Sequence, residues 1–271
     1  MARKRSQDNP AQKRPLSVEF LRELGALKGL TPPPGPFDPA GAWEAGYRLW
    51  LVQRYLGGGC MHLRREPADG GGARLHVRLA VAEVGGYVRR TEAVLDCAAD
   101  ALCTPKSWKL SSVSVGLDDR PIAGTEVAET GTLAGGRIVT QFAGQRRERK
   151  LAGPVTSNFS LFEAVQRLAG EKARPLEFTM LEEMDLVKPG QRLAFREAKA
   201  LELNGAKVAL RGYDQLGRGV LPWQYWTDER GRLLLAFSGV RAWVRDPKAD
   251  PSMQERLERA RSRQKRAQRA R

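Results

Sequence analysis

Residues Gly217 to Asp246, GRGVLPWQYWTDERGRLLLAFSGVRAWVRD, constrain the fold more tightly than any other stretch of the chain. Val220, Leu221, Trp223, Tyr225 and Trp226 form one β-prone run, and Thr227-Asp228-Glu229-Arg230-Gly231 is a polar turn. Leu233 to Phe237 follows, then a turn at Ser238-Gly239 and a short run from Val240 to Val244. Aromatic and β-branched runs bounded by turn residues read as consecutive hairpins. Three of the six tryptophans fall here, which marks this meander as a dense part of the core.

The same pattern recurs upstream. Between Arg74 and Glu83, Leu75, Val77, Leu79 and Val81 alternate with His76 and Arg78, so one strand face is apolar and the other wet. Tyr47 to Leu56, Tyr87 to Leu95, and Ser107 to Leu117 with Trp108, Leu110, Val113 and Val115 read the same way. Glu126 to Thr132, Arg137 to Phe142 and Arg146 to Leu151 are three shorter strands broken by Gly135-Gly136 and Gly144. After Pro175 come Leu176 to Leu181, a turn over Asp185 to Pro189, then Gln191 to Lys199, Leu201 to Leu203 and Lys207 to Tyr213. One internal helix interrupts the series, with Phe159, Phe162, Val165 and Leu168 at helical spacing, started by Ser157-Asn158 and stopped at Gly170. Strands separated by short turns, with a single helix midway, give a mainly β fold of antiparallel type rather than βαβ units. The expected architecture is a large curved antiparallel sheet or half-barrel over residues 43–246.

The ends differ from this body. Ser17 caps a short helix carrying Val18, Leu21, Leu24 and Leu27 and ending at Gly29. Thr31-Pro32-Pro33-Pro34-Gly35-Pro36 then forms a stiff linker, because proline fixes φ and removes a donor. Residues 1–42 are thus a basic tail, a helix and a linker, and residues 247–271 are a basic helical or disordered tail in which Asp250-Pro251 caps a helix. The formal charge is +15, of which residues 1–15 carry +4 and residues 251–271 carry +6, so the body between them is only mildly basic at +5. Arg256, Arg259, Arg263, Lys265, Arg266 and Arg269 form a candidate polyanion-contact arm, since each neutralised phosphate releases a counterion. The arm lacks interleaved aromatics for base stacking. No run of about 18 apolar residues exists to span a membrane as a helix. The basic start is not followed by the apolar stretch of a secretory signal, so the chain reads as cytoplasmic as written, and as an envelope protein if a signal was lost.

Candidate chemistry is sparse. No CxxC pair is present, and Cys60-Met61-His62 stands without further ligands, so no metal or cofactor is expected. Cys97 and Cys103 flank a tight loop and can close a disulfide in an oxidising compartment or remain small buried hydrophobes in a reducing one. Gly57–Gly59 and Gly70–Gly72 lack the Lys-Ser/Thr of a phosphate loop. Acid pairs occur at Asp118-Asp119, at Glu182-Glu183 with Asp185, and at Asp228-Glu229, all in expected turns. Two carboxyls at the right separation can hydrolyse a glycoside, which makes a hydrolase a third reading.

The stretch PWQYWTDERGRLLLAFSGVRAWVRD, preceded by about ten strands and one helix, resembles uncharacterised bacterial envelope proteins built on a long curved antiparallel sheet. The resemblance rests on the strand pattern and on one loosely matched stretch, Trp226 to Leu233, and spans roughly Trp43 to Asp246. The shape it implies is that of lipoprotein carriers of the LolA/LolB kind, an open half-barrel around an apolar cavity. The implied function is non-enzymatic binding of an apolar ligand or a partner segment, with polyanion binding through the tails as the alternative.

Overall fold

A computed structural model of the chain describes residues 16–52, 58–83, 86–168 and 170–251, together with 253–255, 258 and 262. Its described residues include a 15-stranded sheet. The first eight strands form an antiparallel meander: β1 (Trp43–Leu51), β2 (Gly59–Pro67), β3 (Ala73–Ala82), β4 (Tyr87–Cys97), β5 (Pro105–Gly116), β6 (Val127–Ala134), β7 (Arg137–Phe142) and β8 (Gln145–Lys150). The remaining seven are β9 (Val155–Ser157), β10 (Leu176–Glu182), β11 (Leu186–Leu203), β12 (Ala206–Gly217), β13 (Trp223–Asp228), β14 (Leu233–Ser238) and β15 (Arg241–Arg245). β15 pairs antiparallel with β1, which joins the two halves and leaves β8 and β9 as the edges. β9 pairs parallel with β10.

This sheet is strongly curved. β5 and β9 lie eleven places apart in the strand order, and at about 4.8 Å per strand a flat sheet would separate them by roughly 50 Å. Instead Thr104 Oγ1 donates to the Val155 carbonyl at 2.6 Å, and Thr156 Oγ1 donates to the Leu102 carbonyl at 2.7 Å. The edge strand β9 therefore touches the turn between β4 and β5 on the other half. The expected mainly β, half-barrel architecture is the one observed.

The concave side is the core. Alternation sends Leu75, Val77 and Leu79 inward from β3, Leu63 and Met61 from β2, and Leu95 and Ala93 from β4. The helix α2 (Asn158–Ala164) lies inside this curve. Ser157 caps it by accepting from Ser160 N at 3.0 Å, and every residue from Phe159 to Ala164 is buried. Phe162 meets Tyr47 edge-on at 5.3 Å and Tyr225 at 6.0 Å between ring centroids. These are favoured aromatic geometries, and they fix the helix to the middle of the sheet. Glu163 reaches Arg65 at 3.0 Å and Arg167 at 2.8 Å, with Arg65 and Glu163 both almost wholly enclosed.

Several expectations need correction. β2 was not foreseen: its inward row is Met61, Leu63 and Arg65, and the buried arginine breaks the apolar alternation. The turn placed over Asp185 to Pro189 lies largely within β11, a single strand of 18 residues that absorbs the two segments expected at 191–199 and 201–203. A register shift between Phe195 and Glu197 accommodates its length. The internal helix is shorter than its apolar spacing suggested, passing into a 3-10 turn at Val165–Arg167. Part of the strand expected over 47–56 falls on residues 53–57, outside the described residues.

The described segments before β1 and after β15 pack on the convex face. The N-terminal helix α1 (Val18–Glu23) is capped by Ser17 as expected, but it stops at Gly25, whose φ of 73° suits a left-handed terminator, rather than at Gly29. Val18, Leu21, Ala26, Leu27 and Leu30 cover Leu201, Leu210, Trp226 and Leu235 in a second core. The proline segment is not a free spacer. Arg232 donates to the Pro33, Gly35 and Pro36 carbonyls, and Arg230 also donates to Gly35. At the other end the helical turn begins at Ala249, and Ala249 and Met253 seal a third cluster with Cys60, Val88 and Val115.

Candidate binding site

Two adjoining chambers open between α2 and the concave sheet. The first, of about 310 Å³, is walled by Leu49, Met61, Leu79, Phe159, Phe162 and Trp243. The second, of about 640 Å³, lies toward the β8 edge and includes Leu110, Val127, Phe142 and Glu129. Leu79, Arg89, Phe159, Glu182, Glu183 and Arg241 border both, so the two communicate. Each falls in the roughly 300–1,000 Å³ range of small-molecule sites; the first is walled mainly by apolar side chains, while the second mixes Leu110, Val127, Phe142 and Phe159 with many polar and charged ones.

Strand alternation builds the apolar walls. Leu79 is the last buried member of the row begun by Ala73 on β3, and Leu49 extends the Ala45–Tyr47 row on β1. Trp223 stacks on Tyr225 at 6.1 Å, and Arg241 lies over the Trp223 ring at 5.1 Å. Behind them Tyr225 Oη donates to Gln215 Oε1 at 2.8 Å, and Gln215 Nε2 donates to Gln191 Oε1 at 3.3 Å. Burial pushes the Tyr225 phenol far above its ordinary range, only partly offset by Arg241, so it acts as a neutral donor.

Charged groups gather at the mouth and are largely neutralised in pairs. Arg89 holds Glu183 at 3.1 Å and Glu83 at 3.7 Å, and Lys188 holds Glu182. Asn158 Oδ1 accepts from Glu183 N at 2.9 Å, which ties this turn to the helix start. Glu129 is different: it is 7% exposed, and Trp108 Nε1 donates to its Oε1 at 2.9 Å. Burial raises its carboxyl pKa above the usual range; the Trp108 hydrogen bond and Arg147 oppose this, and Asp185 adds to it.

Of the acid groups expected from sequence, only Glu182, Glu183 and Asp185 border a chamber. Asp228 organises its own turn, accepting from Arg230 N at 2.9 Å and Arg232 N at 2.8 Å. Asp119 binds Arg90 at 2.7 Å, and Asp118 accepts from Arg120 N at 3.2 Å, both outside the chambers. Cys97 and Cys103, the pair flanking the loop, are both buried, and each carries a free thiol in this structure. Hydrogen bonding with Cys97 and burial push the Cys103 thiol far up. Cys60 is the third buried thiol, pushed up to about 12 chiefly by burial. No cluster of three or more His, Cys, Asp or Glu suited to a metal ion occurs among the described residues. Arg256, Arg259, Arg263, Lys265, Arg266 and Arg269 lie outside the described residues. No described helix is long and apolar enough to cross a membrane.

Glu129 was not among the sequence candidates. Its signal is Gly131, two residues on and on the same strand face: a Cβ there would lie 2.0 Å from Trp108 Cζ2. The absent side chain lets the indole lie across β6 and reach the carboxyl.

No family model matches the chain, and no curated protein is similar to it. Among solved structures it is similar to a β-barrel-like protein of a domain of unknown function, DUF1849, from Brucella abortus, with a TM-score of 0.51. The shared feature is the curved β fold. The likeness covers 76% of this chain and 95% of that one at 12% identity, and is therefore a likeness of fold alone. MucB in complex with MucA(peri) aligns over 77% of this chain and 89% of that one at 8% identity, with a TM-score of 0.14.

Proposed function

We propose that this chain is a non-enzymatic binding protein that holds an apolar ligand against its concave face, as the shape of the LolA/LolB lipoprotein carriers suggests. The observation that carries the reading is the first chamber, about 310 Å³ in volume, walled by Leu49, Met61, Leu79, Phe159, Phe162 and Trp243. A concave, mainly apolar pocket of that size with a few polar groups is the usual form of a small-molecule site. The neutral Tyr225–Gln215–Gln191 network at its back can orient a ligand without adding charge. Pyrene fluorescence tests the proposal, because its vibronic intensities report a move from water to an apolar site. Val81 is a half-buried residue lining the first chamber, and Val81→Trp would fill that space. Saturable pyrene binding that weakens at least tenfold in Val81→Trp, with an unchanged melting temperature, supports the reading. Absence of saturable binding, or equal binding by the variant, overturns it.

A further inference from the structure

We propose that the second chamber recognises a primary ammonium group carried on an apolar chain, with Glu129 as its acceptor; this rests on the binding reading above and names the ligand's polar end. The β6 alternation turns Val127, Glu129 and Gly131 toward the concave side. Glu129 thus sits beside Leu110, Val127 and Phe142, close to the edge of the sheet. A carboxylate has about four acceptor positions. The Trp108 indole uses one on Oε1 at 2.9 Å, and that partner is neutral. An enclosed carboxyl with no direct ion pair among the described residues is costly, and an incoming ammonium supplies the contact charge that removes the cost.

The surrounding charges favour this assignment. Arg147, Arg89 and Arg241 are the cations bordering the chamber, and Glu182, Glu183, Asp185 and Glu129 are the acids. Arg89 is engaged by Glu183, Glu182 by Lys188, and Arg241 by the Trp223 face. Arg147 stands on the edge strand with its side chain exposed, and is the cation that acts on Glu129 from a distance. The two chambers share Leu79 and Phe159 as a waist, so a ligand seated on Glu129 can run its apolar chain past them into the first chamber.

The test is displacement of pyrene from the full-length protein by dodecylamine, dodecanol and dodecanoate, each below its aggregation concentration. Dodecylamine is expected to compete at least tenfold better than dodecanol, and dodecanoate worst. Glu129→Gln keeps the size and an acceptor for the indole N–H; it should bring dodecylamine down to the level of dodecanol. Arg147→Gln, on the exposed edge, should strengthen dodecylamine severalfold at low salt. Equal binding of amine and alcohol by the wild type overturns this inference while leaving the binding reading intact. An amine preference that survives in Glu129→Gln, or no gain in Arg147→Gln, also overturns it. Failure of every alkyl compound and of pyrene sinks both.

Discussion

Gly131→Ala is the substitution with the most sharply defined consequence. Gly131 has an ordinary extended backbone in β6, so the cost is one of space and not of φ. A Cβ would lie 2.0 Å from Trp108 Cζ2 and 2.2 Å from Cε2, distances that real contacts do not allow. The indole must leave, since it has strand β4 on its other side through the Leu95–Trp108 pairing. Overpacking of this kind costs about 1–3 kcal/mol, and losing the Trp108–Glu129 hydrogen bond leaves buried polar groups unpaired at about 1–3 kcal/mol more. A total near 3 kcal/mol corresponds to a fall in melting temperature of roughly 6–12 °C for a chain of this size. Calorimetry on Gly131→Ala, Trp108→Leu and the double variant gives the answer. With the indole absent, the alanine has nothing to strike, so the double variant should be hardly worse than Trp108→Leu, a coupling of about 2–3 kcal/mol. A fall of less than about 2 °C in Gly131→Ala, or additive losses in the double variant, refutes the packing argument.

Glu163→Gln should lower unfolding free energy by about 3–5 kcal/mol, because Arg65 and Arg167 lose the enclosed charge that both hold; denaturant titration checks it, and a loss below about 1 kcal/mol refutes it. Glu129 has a folded pKa raised above its unfolded value, so its contribution is fully present below the unfolded pKa near 4.5 and is lost as pH rises through the higher folded pKa. Glu129→Gln should therefore gain melting temperature relative to wild type between acid and neutral pH, and a difference that stays constant across that window refutes the assignment. Thiol titration of the native protein should show Cys60, Cys97 and Cys103 all slow to react, and three thiols after unfolding without reductant; one thiol would mean that Cys97 and Cys103 are bonded.

What was legible in the sequence is what nearest-neighbour periodicity controls. The alternation of Leu75, Val77, Leu79 and Val81 gave β3 and its inward face, and the runs around Trp226, Leu235 and Trp243 gave the closing meander. Periodicity failed wherever a polar group faces inward for a reason found elsewhere in the chain. Arg65 hid β2 because its partner, Glu163, lies on a helix 98 residues away. The proline segment read as a spacer because the arginines that hold it come from the β13–β14 turn, almost 200 residues on.

The binding site shows the same limit in sharper form. Its apolar walls are extensions of strand rows and were visible as such. Its one distinctive group, Glu129, looked like an ordinary residue of a short polar strand, since Ala128, Thr130 and Thr132 beside it are exposed. Which face of β6 turns inward is set by pairing with β5, where Trp108 meets Gly131 directly. A one-residue slip would send Glu129 to solvent and leave the indole against a threonine. The large-against-none pairing of Trp108 with Gly131 thus fixes the register of β6 and, through that register, the carboxyl in the chamber. Packing and candidate chemistry here are two readings of one cross-strand contact, so the stability of Gly131→Ala and the amine preference of the chamber should fail together.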